Sequence, residues 1–299
     1  MTSPLEARIA SGLSRFVAAE VSGFAERLAA EMDACAVLFY GSNLRTGSLE
    51  GVLDYYVLTP GGAERGIWPR VSYHERADGD LALRAKVARM SLAKFEEAAS
   101  GCLLDTTIWA RFVQPSALVW CKGAETKAAV VKAIAGATAT ASRLGAVLCE
   151  GCKDEEAFWI ALFKATYTAE FRIETASRAH SVFDLNREHF SGLLPLGLEA
   201  SGIDCPRGGD GGLQPRLGRT ERRKVKRWWR PRRYLGKALN LLRLVRAAST
   251  FEGAARYAAW KIERHSGVKV RLTPWRERHP VLAAPGVLWS VWRARRKAG

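Results

Sequence analysis

Apolar residues at the start of the chain follow two different periods. Leu5, Ile9, Leu13, Phe16, Val17, Val21, Phe24, Leu28 and Met32 recur at steps of three and four with charged residues between them, which predicts one helix over residues 4–32. Pro4 suits its first turn. Then Val37-Leu38-Phe39-Tyr40 runs apolar without a break into Gly41-Ser42, and eleven positions after Ser42 Leu53-Asp54-Tyr55-Tyr56-Val57 begins a second apolar run with a single aspartate. Two strands joined by a polar, glycine-bearing loop are expected, the second one closed by Thr59-Pro60-Gly61-Gly62. Extended runs at 70–75 and 81–88 flank Ala77-Asp78-Gly79-Asp80 and predict a hairpin.

Beyond the hairpin the pattern turns mainly helical. Ser91 is placed to cap a helix running to Ala99, and Ala117-Leu118-Val119-Trp120 reads as one more strand. Helices are expected over 126–148 and 158–179. The fold class is α+β: a small mixed sheet, a helical domain and a basic C-terminal helical segment. The boundaries are 1–122 for the sheet-bearing domain, 123–200 for the helical domain, 201–218 for a Gly/Pro-rich linker or loop, and 219–299 for the tail.

Composition changes this picture chiefly through charge. The 299 residues carry a net charge of +16, and it is unevenly placed. Residues 216–299 hold 24 Lys/Arg against 4 Asp/Glu, a balance of +20, while the first 215 hold 22 against 26, a balance of −4. A mildly acidic body with a strongly basic tail points to a polyanionic partner, either nucleic acid or an anionic membrane surface. In the tail, Trp228, Trp229 and Tyr234 are interleaved with cations, a pattern that suits the headgroup layer or stacking on single-stranded bases. The apolar run Pro280–Trp292 is too short to span a bilayer but long enough for a helix lying in an interface. A core helix with a solvated basic end is the plainer reading of each piece. The opening residues Met1–Glu6 do not read as a signal peptide. Of six cysteines only Cys149-Glu150-Gly151-Cys152 has a metal-like interval; a structural zinc site needs a second pair, so reduced thiols are expected.

The chemistry lies in the early strands. Gly41 lets the backbone approach a phosphate, Ser42 offers a hydroxyl and an N–H, and Asp54 is placed to hold a divalent cation against the same phosphates. A hairpin with one exposed aspartate accounts for the same residues. Lys86 alternates with apolar neighbours and projects to one face of its strand, as a phosphate ligand or as a snorkelling surface residue.

A Gly-Ser turn followed by an acidic strand is the pattern of polymerase-beta-like nucleotidyltransferases, although Tyr56 stands where the second acid is usual. The chain resembles, over about residues 35–180, the mitochondrial translocator-maintenance family of phosphatidate cytidylyltransferases. The resemblance rests on Phe39-Tyr40-Gly41-Ser42, on Leu53-Asp54-Tyr55-Tyr56-Val57 with its single acid, and on Arg84-Ala85-Lys86-Val87-Ala88. It extends to Leu104-Asp105 and Trp109-Ala110-Arg111-Phe112-Val113-Gln114-Pro115. Gln114 and Ala110 depart from the family's Lys and Gly, and Trp68 is followed by Pro69 rather than His.

The resemblance implies a sheet of nucleotidyltransferase type and transfer of CMP from CTP to a lipid phosphate, with Mg²⁺ and release of pyrophosphate. It assigns Tyr40, Gly41 and Ser42 to the triphosphate and Asp54 to the metal. Asp105 becomes the second metal carboxylate, supplied from a separate strand, and Lys86 and Arg111 become phosphate ligands. Asp105 also fits a helix cap before Thr106-Thr107, and Arg111 an ion pair at the edge of the core. The basic tail then implies a cytoplasmic protein held peripherally on the inner face of a membrane. A nucleotidyltransferase acting on nucleic acid and a non-catalytic membrane-associated scaffold are the competing readings; no RNA-recognition signature supports the first.

Overall fold

A computed structural model of the chain describes residues 2–66, 69–78, 81–170, 176–250, 253–268 and, beyond these, 270, 272–278, 282–287, 289–290 and 293. Its centre is a five-stranded mixed sheet. β1 (Ala36–Tyr40), β2 (Leu53–Thr59), β3 (Arg70–Asp78), β4 (Leu81–Ser91) and β5 (Ser116–Cys121) lie in the order β3-β4-β2-β1-β5. Only β2 and β4 are parallel; the other neighbours are antiparallel. The expected hairpin is β3–β4, paired from Arg70↔Arg89 to Asp78↔Leu81, and its tip residues Gly79 and Asp80 lie outside the described residues.

Alternation along the strands sends side chains to two cores. Val37, Phe39, Tyr55, Val57, Ala85 and Val87 face one side, where they pack on Val21, Phe24 and Leu28. Leu38, Tyr40, Tyr56, Leu58, Ala88 and Met90 face the other, which is covered by the remaining helices. This division explains why residues 4–32 are not the single helix that their spacing predicts. They form α1 (Pro4–Leu13) and α2 (Ala19–Glu31), and the chain breaks at Ser14. Leu5, Ile9 and Leu13 of α1 belong to one core while the apolar face of α2 belongs to the other; one straight helix cannot reach both sides of a sheet. Phe16, which continues the spacing, is 94% exposed in the break. A capping box between Ser3 and Glu6 starts α1.

The helical layer contains α4 (Leu92–Ala99), capped by Ser91, and α5 (Thr107–Phe112), with α3 (Ser42–Thr46) at the end of β1. The long α6 (Ala124–Leu148) packs on α1, α4, α5, α7 (Glu155–Ala169) and α10 (Leu193–Glu199). The helix expected over 158–179 is therefore two: α7 ends at Ala169 and α8 (Ala176–Asp184) follows, with 171–175, including Phe171 and Ile173, outside the described residues. The short α9 (Arg187–Phe190) precedes α10. Cys149 and Cys152 are joined in a disulfide rather than reduced, since the turn after α6 brings their Cα atoms to 5.5 Å; Cys35, Cys102, Cys121 and Cys205 are free.

Residues 201–218 form a hydrogen-bonded loop. Leu213 N–H donates to the Lys153 carbonyl, and Ile203 and Leu213 are buried. After it come α11 (Arg219–Thr250), α12 (Ala254–Ser266) and α13 (Pro274–Arg278); Pro280–Trp292 is described only in part. The first half of α11 is not a free surface element. Trp228 and Trp229 both lie against Trp109, and the Trp228 indole N–H donates to the Gly101 carbonyl at 2.9 Å. Arg232 is buried over the Trp228 ring, 4.0 Å from its centroid, and donates to the same carbonyl at 2.8 Å. The two tryptophans read as headgroup or base-stacking residues are thus core residues; Tyr234, Leu235, Leu241 and Leu242 form the exposed apolar part. No helix among the described residues is long and apolar enough to cross a membrane.

Candidate functional site

Strand register builds the site from one row of side chains. Tyr40 on β1 pairs with Ser116 on β5 and with Asp54 on β2, and Asp54 pairs with Lys86 on β4. Because alternation sets the face, Tyr40, Asp54 and Lys86 share the side of the sheet that carries Tyr56 and Met90, towards the helical layer. Just past Tyr40 the chain turns through Gly41 at φ +93°, and Ser42 begins α3 where the pattern reads only as loop. A Cβ on Gly41 would stand 3.0 Å from Asp54 Oδ2, so glycine is required both by its backbone angle and by the closeness of the carboxylate. Asn43, buried, holds the following loop by donating to the carbonyls of Ser48 and Glu50 at 2.7 and 2.8 Å.

Arg111 reaches this row from α5, its guanidinium carbon 4.9 Å from the centroid of the Tyr40 ring. Burial opposes its charge, but Tyr40, Tyr56, Glu170 and Asp54 together outweigh that, so the guanidinium is held firmly cationic. Burial pushes the Asp54 carboxyl above the ordinary aspartate range, and the charges of Lys86 and Arg111 only partly offset it. Tyr40, Gly41, Ser42, Asp54 and Arg111 line one cavity of about 220 Å³ together with Arg45, Gln114 and Asn186. One half-buried carboxylate, two arginines and a glycine turn thus meet at one cavity.

Asp105 lies in the loop before α5, not on a strand, and its Oδ1 accepts from the Thr107 hydroxyl at 2.9 Å, while the helix itself is preceded by Thr106 without a side-chain cap. Asp105 does not line the cavity, and no group of three or more His, Cys, Asp or Glu fit for a metal occurs among the described residues. Two residues after Asp54 on the same face, the Tyr56 ring packs 5.5 Å from Tyr40 and 5.1 Å from Phe112. Lys86 joins Asp54 through register and charge rather than through the cavity lining. Asp105→Asn is accordingly expected to lower stability by about 1 kcal/mol and to leave the Asp54 titration, followed by carboxyl NMR, where it is. A displaced Asp54 titration would return Asp105 to the site.

Sequence reasoning missed Glu170, Arg45 and Asn186. Glu170 is buried at the end of α7, accepts from the Thr106 hydroxyl at 2.9 Å and supports the charge of Arg111. Nothing in the local pattern marks it, since its partners come from 60 residues away or more. Arg45 was legible: it stands three residues after Ser42, one turn along α3. A scan of the chain against protein-family models finds no match, and a search of curated proteins finds none.

Proposed function

We propose that the chain transfers a nucleotidyl group, CMP from CTP, to a lipid phosphate of the phosphatidate kind. The observation that carries this is the meeting of the Gly41 turn with the Asp54 carboxylate, with Lys86 beside Asp54 in register and Arg111 above Tyr40. A phosphate oxygen of the acceptor attacks the α-phosphorus, the bond from that phosphorus to the bridging oxygen of the β-phosphate breaks, and pyrophosphate leaves with the electron pair. Such a step needs placement and charge neutralisation more than a covalent intermediate. Arg111 and Lys86 supply fixed positive charge to the phosphates, and the open backbone at Gly41-Ser42 receives one of their oxygens.

A single carboxylate with free space before it fits a Mg²⁺ ion that arrives on the nucleotide, since Mg²⁺ is commonly held by one or two carboxylates together with substrate phosphates and water. Asp54 would hold it, and it would supply neutralisation of the charge that develops on the leaving pyrophosphate. The basic tail, with Leu235, Leu241 and Leu242 exposed among its cations, supports a lipid acceptor. The inward packing of Trp228 and Trp229 removes them as base-stacking residues.

The test is pyrophosphate release by the purified chain with CTP, Mg²⁺ and liposomes containing phosphatidate. Release that depends on both CTP and the lipid is expected; no release with any lipid phosphate, alongside RNA binding, overturns the reading. Gly41→Ala is expected to weaken CTP binding by about tenfold or more in calorimetric titration, because the new methyl takes the space in front of Asp54 Oδ2.

A further inference from the structure

A second cavity, larger than the one that holds Asp54, lies beside it. It measures about 420 Å³, within the ~300–1,000 Å³ of small-molecule sites. It lies between α1, the break that follows it, α3 and α9, and shares a wall of Arg45, Gln114, Leu185 and Asn186 with the Asp54 cavity. Its lining is cationic. Arg8, Arg15 and Arg45 have no carboxylate partner among the described residues. Arg187 is tied to Asp184 at 2.9 Å and to Glu156 at 3.0 Å, which leaves Glu188 as the remaining acid of the lining. Arg8 donates to the carbonyls of Glu188 and His189, and the Arg15 Nε to the carbonyl of Gly12, so both are positioned by backbone oxygens rather than neutralised.

The electrostatics agree with the geometry. Burial and then the nearby Arg8 hold the Arg15 guanidinium below its usual range. His189 does not contribute a charge: burial pushes it down to about 4, and its Nε2–H donates to the Val113 carbonyl at 2.9 Å. The cations of the cavity are therefore the arginines, groups suited to planar, forked recognition of phosphate. Two apolar side chains are exposed nearby: Leu185, 57% exposed, on the shared wall, and Phe16, 94% exposed, which follows Arg15 in the chain.

We propose that this cavity binds the phosphate monoester end of an amphiphilic acceptor, the phosphate lying among Arg8, Arg15 and Arg45 and the apolar part leaving past Phe16 and Leu185. The assignment of that ligand as the acceptor rests on the nucleotidyl-transfer reading; the anion site itself stands on the cavity alone. Three arginines without a metal-holding carboxylate suit a monoester, whereas a nucleoside triphosphate is drawn to the carboxylate next door. The shared wall lets the bound phosphate face the nucleotide across Arg45 and Gln114.

The test is calorimetric titration of the full chain with dioctanoyl phosphatidate, with glycerol 3-phosphate and, separately, with CTP and Mg²⁺. Arg8→Gln with Arg15→Gln is expected to lose roughly ten- to a hundredfold in affinity for dioctanoyl phosphatidate and to bind CTP as the unaltered chain does. Gly12→Asp provides an independent route, since its Cβ would lie 4.0 Å from an Arg15 nitrogen and bring a carboxylate to quench the site while both arginines stay. It should give the same loss. Unchanged phosphatidate binding in both variants overturns the site. Loss of CTP affinity with phosphatidate binding intact overturns the assignment and gives the cavity to the nucleotide. Equal affinity for glycerol 3-phosphate and dioctanoyl phosphatidate overturns the amphiphile and leaves a site for free phosphate esters. Phosphatidate binding that is lost in the variants, without pyrophosphate release by the unaltered chain, upholds the anion site and sinks the transfer reaction.

Discussion

Asp54→Asn is expected to reduce nucleotidyl transfer by about a thousandfold or more while leaving the ligand-free protein as stable as before, or more stable, at neutral pH. Both halves have one cause. The carboxyl is half-buried on the sheet face that carries the helical layer, and its loss of solvent raises its pKa despite Lys86 and Arg111. A carboxyl whose folded pKa lies above its unfolded value contributes stability at pH values below the unfolded pKa, and loses that contribution as the pH rises through the folded pKa. At neutral pH the ionised group is therefore a net cost to the apo fold, and the neutral amide removes it. Thermal melting of the two proteins without ligand checks the first half, and pyrophosphate release checks the second. An Asp54→Asn protein that melts well below the original would mean that the carboxylate holds the fold together rather than a ligand.

The same displacement fixes the acid side of the activity profile. Turnover is expected to fall as Asp54 takes up a proton, at a pH above the ~3.9 of an ordinary aspartate. Lys86→Met removes one of the two charges that pull this pKa down, so its acid limb should move to higher pH still. An unmoved limb would place Lys86 outside the electrostatic reach of the site.

These effects were partly legible in the amino-acid sequence. Unbroken apolar runs identified β1, β2 and β5, extended runs around an Asp-Gly turn identified the β3–β4 hairpin, and alternation placed Tyr40, Asp54 and Lys86 on a common face once the strands were paired. Gly41 was legible for a physical reason, since few other residues can turn there against a carboxylate. What the pattern could not show is which distant element covers that face. Phe16 and Val17 keep helical spacing across a break that exists because the sheet has two sides. Asp105 reads as a metal ligand in a linear motif; the structure adds that it stands in the loop before α5, bonds to the Thr107 hydroxyl and does not line the Asp54 cavity. Glu170, which supports Arg111, carries no local signal at all, because its value comes from Thr106 and from Asn240 of α11, which donates to its carbonyl at 2.7 Å. Charge in the tail was legible, but not the inward turn of its tryptophans.

Removal of residues 219–299 is expected to unfold the remaining chain rather than simply release it from membranes. Val225, Trp229 and Arg232 are 2%, 6% and 4% exposed, in the same core as Trp109 and Trp159. Farther along, a Cβ on Gly236 would lie 2.6 Å from the Ala169 carbonyl oxygen, so α11 rests directly on the backbone of α7. Truncating one large buried aromatic costs about 3–5 kcal/mol, and a domain has only about 5–15 kcal/mol in hand. Losing Val225 and both tryptophans together, along with the hydrogen bonds of Arg232 and Asn240, exceeds that margin. Trp229→Ala alone should lower the melting temperature by roughly 10 °C. Membrane contact therefore has to be tested without cutting the chain. Leu241→Glu with Leu242→Glu changes two side chains that are 56% and 51% exposed, so folding should be untouched while recovery on phosphatidate-containing liposomes falls. The binding that remains, carried by cations, should weaken steeply as salt is raised. A truncated chain that melts cooperatively near the original temperature would refute the structural role of α11, and unchanged flotation of the double glutamate variant would take these leucines out of the membrane contact.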